Sequence, residues 1–306
     1  MSAAQRDLRA LFAEERAAAA QSSPAAYRAL LERRLAERPV VLDVGFFEQV
    51  LANLPWADEL RPLAAKLIGY PATPPDTVLL LNTFPRVPTA AAETVLVESL
   101  GLRRGSVYPG NTAREAGFDL SIGIRELRSR SLVRSHLIAS IRFRACLAAL
   151  AVRPIVLVRD IFDTIASYAD DRTDPAVAPG YRLAALDPQA RRRILVLRMA
   201  AQLVDFHGTW SIEQTAGRCT VYRWEDVHED WPGFLVDRLE ERGHRLLRGE
   251  LAEKLAKLPP DAHSQINLGN TLSDADKALV RALYAQYPNV DFRPIDQGAP
   301  PPSLNA

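Results

Sequence analysis

Short aliphatic runs alternate along this chain with longer segments in which apolar residues recur at the spacing of a helix face. The runs occupy residues 77–81, 131–136, 155–158 and 219–222. Each is too short for a helix and lacks strict alternation of polar and apolar side chains, which is typical of parallel strands covered on both faces. Strands and helices that alternate in this way predict an α/β fold with a mostly parallel central sheet flanked by helices.

The first predicted strand leads through a loop into a helix. Residues 82–88 contain polar residues and two prolines and predict the loop, and Thr89 is a candidate helix cap. Gly101 is a stop signal for a helix that reaches about Leu100. A strand, a loop and a helix at the start of an α/β domain present backbone N–H groups that suit a phosphate.

The beginning and the end of the chain differ in character from its middle. Apolar residues with helical spacing mark the first 70 or so residues, and a turn-rich break follows at residues 71–76. We therefore predict an N-terminal helical segment over residues 1–75, packed on an α/β domain over residues 76–290. The proline-rich end predicts a disordered tail over residues 291–306. The chain contains no internal repeat.

Charge and composition narrow the classes of function. The chain has 306 residues, enough for a large core, and its net charge is +1, from 38 lysines and arginines against 37 acidic residues. No global basic field favours bulk binding of nucleic acid or of a membrane surface, so an anion site must be local. Two cysteines argue against a disulfide framework, and no stretch has the apolar length of a signal core or a membrane span. We expect a cytoplasmic protein.

The strongest candidate chemistry lies where the strand at residues 155–158 turns into a helix. Arg159 follows the strand directly, at the carboxyl edge where open α/β sheets bind ligands. Asp160 and Asp163 fall in the first turn of the helix, where acidic residues are favourable. Ser167 lies eight residues beyond Arg159, about two helical turns away. A cation and a hydroxyl group directed at one edge of the sheet suit a phosphate.

Three further segments complete a pattern. They are the loop at residues 84–89 (Phe-Pro-Arg-Val-Pro-Thr), the strand at 132–136 (Leu-Val-Arg-Ser-His), and residues 222–226 (Tyr-Arg-Trp-Glu-Asp). Together with residues 157–168, this pattern resembles the sulfotransferases that use 3′-phosphoadenosine 5′-phosphosulfate (PAPS). These enzymes have a P-loop-like α/β fold. The resemblance covers about residues 77–287 and is most specific in residues 157–168.

The resemblance implies a mechanism of in-line sulfuryl transfer. His136 matches the family's catalytic histidine and would accept the acceptor's proton, a role that suits a group titrating near neutrality. Arg86 lies in the loop similar to the family's 5′-phosphosulfate loop and would stabilise developing negative charge. The scheme requires no metal. The other histidines, which have no metal-ligand spacing, are His207, His228, His244 and His263.

The resemblance also implies a set of residues that bind the PAPS nucleotide. Thr89 and the following helix N-terminus would hold the 5′-phosphate, while Arg159 and Ser167 would hold the 3′-phosphate. An aromatic residue near adenine is the family role that Trp224 matches. The complete set is Arg86, Thr89, Arg159, Ser167, Trp224 and Gly269.

The chain departs from the family pattern at two places. Val87 and Pro88 stand where the family loop has serine and glycine. Valine removes a hydroxyl group, and proline removes a backbone donor from a loop that works through N–H groups. Asn267 and Leu268 precede Gly269 where many relatives place a basic pair, so one source of charge for the 3′-phosphate is missing.

Each residue also has an ordinary structural interpretation. Arg86 can be a loop cation, Arg159 a solvated arginine at a strand end, Ser167 a surface serine of its helix, and His136 a packed or surface histidine. For Trp224, a place in the core and a contact with adenine are equally good interpretations.

Two rival functions remain open. A nucleoside-triphosphate enzyme of the P-loop type would need the G-x-x-x-x-G-K-[ST] motif, which the chain lacks. A catalytically degenerate relative would bind a nucleotide or a protein partner without turnover. For an active enzyme, the acceptor is a hydroxyl or amine of a small molecule, glycan, lipid or peptide, and nothing in the sequence selects one class or an oligomeric state.

Overall fold

The protein is described by a computed structural model in which residues 78–107, 118, 122, 123, 126, 127, 130–150, 152–169, 187–241, 248–257 and 272–302 are placed. The helical segment predicted for residues 1–75 lies outside the described residues. Gly269 also lies outside them.

The described strands form one five-stranded sheet in which every neighbouring pair is parallel. The predicted α/β fold with a parallel central sheet is therefore confirmed. The strand order is β2-β3-β1-β4-β5. The strands are β1 (Val78–Thr83), β2 (Arg103–Gly105), β3 (Ser131–Ser135), β4 (Ile155–Val158) and β5 (Thr220–Arg223).

Helices follow the strands, as the periodicity predicts. Within the described residues, no helix is long and apolar enough to cross a membrane. The helices are α1 (Ala90–Leu100), α2 (Ile141–Leu150), α3 (Ile161–Ala169), α4 (Pro188–Thr215), α5 (Trp224–Val227), α6 (Trp231–Glu240), α7 (Arg248–Ala256) and α8 (Asp274–Ala282), and a 3₁₀ turn covers Leu283–Gln286. Helix α2 belongs to a compact unit different from the one that contains the sheet, and it buries Phe143 and Cys146.

Strand β1 is the centre of the sheet. It pairs with β3 on one side and with β4 on the other, and residues Leu79, Leu80 and Leu81 are all almost fully buried. All four residues of β4 are buried as well. Since these strands are parallel, their carboxyl ends meet at one edge, and β1 lies where the strand order reverses. Open α/β sheets bind ligands at that position.

The carboxyl end of β1 and the outer strands of the sheet differ from the sequence-based prediction. Strand β1 extends to Thr83, so two residues assigned to the loop belong to the strand. They pair there, because Asn82 is in register with Ser135 and Thr83 with Leu157. Strand β2 is not among the aliphatic runs that predict strands. Strand β5 is not covered on both faces as predicted but is a partly exposed edge strand, because among the described strands only β4 pairs with it.

Residues 291–302 do not match the predicted disordered tail. Phe292, Ile295 and Asp296 are almost fully buried. The backbone N–H of Ile161, at the start of α3, donates a hydrogen bond of 2.9 Å to the carbonyl of Ile295. Proline-rich composition predicts disorder only where no apolar side chain can be buried, and this segment has such side chains. Residues 303–306 lie outside the described part of the chain.

An ion pair with a buried carboxylate, that of Asp296, fixes this C-terminal segment. The guanidinium group of Arg281 donates two hydrogen bonds, of 2.8 and 3.0 Å, to the carboxylate of Asp296. The Tyr284 hydroxyl and the Gly298 N–H donate to the same carboxylate. Burial raises the pKa of Asp296, but these hydrogen bonds outweigh it, so the pKa lies below its ordinary value. The folded state therefore favours the ionised carboxylate.

We predict that Asp296→Asn lowers the free energy of unfolding at pH 7 by about 1.5–3 kcal/mol, the range for hydrogen bonds to a charged group. Because the folded pKa of Asp296 is lowered, this stabilisation is complete above the ordinary carboxyl pKa and is lost as pH falls through the lowered value. Denaturant unfolding of both proteins at pH 7 and at acidic pH measures the difference.

Asp291 provides a matched control, since Arg293 also pairs with it through two nitrogens but the pair is exposed, with 57% and 38% of the two side chains accessible. Asp291→Asn should have a much smaller effect. Equal losses in the two variants would contradict the role given to burial.

Candidate functional site

The loop that follows β1 is anchored to the adjacent strand β4. The N–H of Phe84 donates to the carbonyl of Leu157 in β4 at 2.8 Å, and the Phe84 ring packs edge-on against Phe206. Arg86 has a φ of 65°, the left-handed region that non-glycine residues rarely adopt. Its carbonyl accepts a hydrogen bond of 3.1 Å from Nη1 of Arg159. Arg159 therefore supports the unusual backbone of Arg86.

Most of the backbone donors of this loop are used within the protein. The N–H of Val87 donates to the Phe84 carbonyl at 3.4 Å, and the N–H of Thr89 donates to the Val87 carbonyl at 2.9 Å. Pro85 and Pro88 have no N–H to offer. An anion at this loop would therefore interact mainly with side chains and with the first N–H groups of α1, where the helix dipole is favourable.

Thr89 occupies the predicted cap position of α1, but its side chain makes no cap hydrogen bond. The hydroxyl instead donates to the Glu93 carboxylate at 3.0 Å, and both residues are buried. Nη1 of Arg134 lies 3.4 Å from the same carboxylate oxygen. Glu93 was not identified from the sequence, and its position one turn into α1 was the available signal.

His136 follows β3 directly and is half-buried. Its Nδ1 lies 2.8 Å from the backbone carbonyl of Thr83, the last residue of β1. Because a carbonyl can only accept a hydrogen bond, Nδ1 carries the proton. In the neutral ring, Nε2 is then the basic nitrogen, the one that can accept a proton. The Thr83 hydroxyl lies 3.4 Å from Nδ1.

Arg159 is 2% exposed, so its guanidinium group is buried at the carboxyl end of β4. Burial lowers the pKa of Arg159, and the nearby carboxylates of Asp163, Glu225 and Asp160 oppose this effect. Its Nε has no hydrogen-bond partner among the described residues. A buried donor without a partner is costly, and an anionic ligand would satisfy it.

Glu225 and Asp160 organise the polar surroundings of Arg159. The N–H of Asp160 donates to Oε1 of Glu225 at 2.8 Å, while the Asp160 carboxylate accepts from the N–H of Asp163 at 2.9 Å. Burial raises the pKa of Asp160. Within the described residues, the buried Oε2 of Glu225 has no hydrogen-bond partner, nor does the buried Nε of Arg223, which lies 3.8 Å from it.

The two remaining described residues of the predicted nucleotide site have neighbours of their own. The Ser167 hydroxyl donates to the Thr164 carbonyl of the same helix at 2.7 Å, and no hydrogen bond between the described residues joins it to Arg159. Trp224 is half-buried, and its ring packs edge-on against Trp231 with centroids 5.2 Å apart. Its aromatic packing fits a place in the core, and its exposed part leaves room for a stacking ligand.

Three predicted site residues lie at one edge of the sheet, and a hydrogen bond joins two of them. His136 contacts the end of β1 through Thr83, and Arg159 contacts the following loop at Arg86. Asn82, at the same edge, was not identified from the sequence. Its signal was a polar residue that directly follows an apolar run.

No protein-family model matches the chain, and no curated protein matches it in sequence. Among solved structures, the chain is similar to mouse sulfotransferase SULT7A1 complexed with PAP, with 15% sequence identity and a TM-score of 0.49. The match covers 74% of this chain and 88% of the mouse chain.

Proposed function

We propose that this protein is a sulfotransferase that moves a sulfuryl group from PAPS to a hydroxyl or amine of an acceptor. The observation that carries the proposal is the hydrogen bond from His136 Nδ1 to the Thr83 carbonyl. It leaves Nε2 as the basic nitrogen of a half-buried histidine, directly beside the strand that leads into the Arg86 loop. A base next to a loop cation is the arrangement that the resemblance of residues 84–89 and 132–136 implies.

His136 has the role of general base in this mechanism. PAPS, when bound, supplies a sulfuryl group linked to a good phosphate leaving group. The acceptor oxygen or nitrogen forms a bond to sulfur, the bond between sulfur and the phosphate oxygen breaks, and the acceptor's proton passes to Nε2 of His136. Arg86 stabilises the negative charge that develops on the departing oxygen. Arginine presents a planar fork of donors there rather than a point charge.

Arg159 offers a buried cation for the anionic end of the nucleotide. Its Nε, which has no partner among the described residues, would donate to a 3′-phosphate oxygen, and a hydrogen bond to a charged group is strong. The nearby carboxylates of Asp160, Asp163 and Glu225 favour the charged form of the guanidinium group but would also repel a phosphate. Ser167, Trp224 and Gly269 remain part of the proposed nucleotide site, and Thr89 would hold the 5′-phosphate if its hydroxyl released Glu93.

A catalytically degenerate nucleotide-binding or partner-binding protein is the rival outcome. The specific observation in its favour is that the N–H groups of Val87 and Thr89 are used within the loop. Transfer of labelled sulfate from PAPS to a panel of phenols, alcohols, amines, sugars and peptides distinguishes the two. Nucleotide binding without transfer to any acceptor class would favour the rival.

We predict that His136→Ala lowers turnover by about 10²-fold or more, because the acceptor's proton loses its base. Binding of adenosine 3′,5′-bisphosphate should remain near the wild-type value, since His136 contacts the transferring group and not the nucleotide. Steady-state transfer of labelled sulfate and calorimetric titration with the bisphosphate measure the two quantities. His244→Ala, at a histidine to which the resemblance gives no role, is the matched control. Near-normal turnover of the His136 variant would refute the assignment.

We predict that Arg159→Ala weakens binding of adenosine 3′,5′-bisphosphate by about 1.5–3 kcal/mol, the range for a hydrogen bond to a charged group. Adenosine 5′-monophosphate should lose much less, and only through the weakened support of the Arg86 carbonyl. Titration of both nucleotides measures the difference, with Arg193→Ala on the exposed face of α4 as control. Equal losses for the two nucleotides would mean that Arg159 supports the loop without contacting the 3′-phosphate.

We predict that adenosine 3′,5′-bisphosphate at 100 times its dissociation constant stabilises the wild-type fold by about 2.7 kcal/mol, visible as a rise in Tm. The double substitution Val87→Ser and Pro88→Gly restores a hydroxyl and an N–H, so we expect tighter binding, offset in part by the entropy of ordering glycine. Absence of any thermal shift in both proteins at millimolar nucleotide would reject the sulfotransferase proposal.

A further inference from the structure

Asn82 is a polar residue at a fully buried position. It is the fifth residue of β1, its exposed fraction is 0%, and it is in register with Ser135, the last residue of β3. A buried amide is costly unless its donors and acceptor are hydrogen-bonded. The partners of this side chain therefore explain why it is tolerated in the centre of the sheet.

The amide of Asn82 pairs with the backbone just beyond β3. Its Oδ1 accepts a hydrogen bond of 3.0 Å from the N–H of Leu137, and its Nδ2 donates one of 2.9 Å to the Leu137 carbonyl. The Ser135 hydroxyl also donates to Oδ1. Since a backbone N–H can only donate and a carbonyl can only accept, these contacts determine the orientation of the amide. The side chain thus acts like a peptide group and extends the β1–β3 pairing past the end of β3.

Leu137 also accepts a hydrogen bond from helix α4. Nε1 of Trp210 in helix α4 donates to the same Leu137 carbonyl at 2.9 Å, and Trp210 is buried. The carbonyl of Leu137 therefore accepts two hydrogen bonds, one from β1 and one from α4. This leaves little freedom for the backbone on either side of the residue.

His136 lies between two residues that Asn82 holds. Ser135 contacts the amide through its hydroxyl, and Leu137 contacts it through both backbone groups. The ring of His136 is bonded to Thr83, the next residue of β1 after Asn82. Two consecutive residues of β1 thus hold the backbone and the ring of His136.

Other side chains of similar size do not reproduce this pairing. Leucine would leave the N–H of Leu137 and the Ser135 hydroxyl buried without partners. Aspartate would place an oxygen opposite the Leu137 carbonyl, where the structure has an N–H donor, and would bury a charge. At this length, a side-chain amide offers a donor and an acceptor side by side without having to take up a proton.

We propose that Asn82 is the positioning residue for His136. It holds the ring so that Nδ1 keeps its hydrogen bond to Thr83 and Nε2 is oriented to accept the acceptor's proton. This inference rests on the proposed role of His136 as base. A positioning residue acts on the transition state through geometry, and small displacements of a catalytic group reduce turnover strongly. The binding of the nucleotide should not depend on it.

The first test is the ring tautomer of His136, measured by two-dimensional ¹⁵N NMR without any donor or acceptor. In the wild-type protein at alkaline pH, the proton should reside on Nδ1. In Asn82→Asp, a mixture of the two tautomers is expected. Tyr287→Phe is the control, because it removes a part-buried side-chain hydrogen bond, to Asp205, outside this network, and it should keep the wild-type tautomer.

The second test is the division of the kinetic effect. With the best acceptor from the panel, Asn82→Asp should lower kcat by about 10-fold or more, while the dissociation constant of adenosine 3′,5′-bisphosphate changes less than about twofold. Tyr287→Phe should retain wild-type kcat. An unchanged tautomer and kcat in Asn82→Asp would overturn the inference, as would equal losses in the control.

If Asn82→Asp fails to fold, hydrogen exchange of the wild-type protein decides. The N–H of Leu137 lies outside any strand, yet its bond to Asn82 predicts exchange as slow as that of the β3 amides. Rapid exchange would overturn the inference. Because exchange and tautomer need no transfer activity, their outcome is separate from that of the sulfotransferase proposal: a wild-type protein without turnover can still show the Asn82 pairing.

Discussion

The parallel pairing of β1 on both of its sides is the constraint on which the rest of the site depends. It fixes Asn82 opposite Ser135 and Thr83 opposite Leu157, so the ends of β3 and β4 meet on either side of the same two residues. The Thr83 carbonyl can then accept a hydrogen bond from His136, and the Arg86 carbonyl in the loop beyond it can accept one from Arg159. A slip of one residue in either pairing would turn these side chains to the other face of the sheet.

Burial of Arg159 has two opposing effects at this edge. Removing a guanidinium group from water is costly, and the surrounding carboxylates and the Arg86 carbonyl offset that cost. The hydrogen bond to the Arg86 carbonyl restrains the guanidinium group, so an anionic ligand that reached it would meet a preorganised cation. A rigid cation binds an anion with less loss of side-chain entropy than a mobile one.

The loop after β1 offers fewer backbone N–H groups to a ligand than a glycine-rich loop would. Prolines at two of its positions remove donors, and the remaining turns consume the N–H groups of Val87 and Thr89. An anion bound here would therefore interact with Arg86 and the start of α1 more than with the loop backbone. Side-chain charge would then do what peptide dipoles do in a glycine-rich loop.

The sequence by itself determined the alternation of strands and helices along the chain and the strand at residues 155–158. It also determined that Arg159 and His136 lie at strand ends. Periodicity and local turn signals are properties of neighbouring residues, so they indicate these features without the fold. Tertiary contacts decided that β5 is an edge strand and that residues 291–302 pack in an ordered conformation. So were the partners of the site residues: His136 bonds across 53 positions and Arg159 across 73, and Asn82 reaches Leu137 across 55. Such pairings depend on the folded sheet, which brings distant residues within hydrogen-bonding distance and buries them there, and no local pattern encodes that geometry.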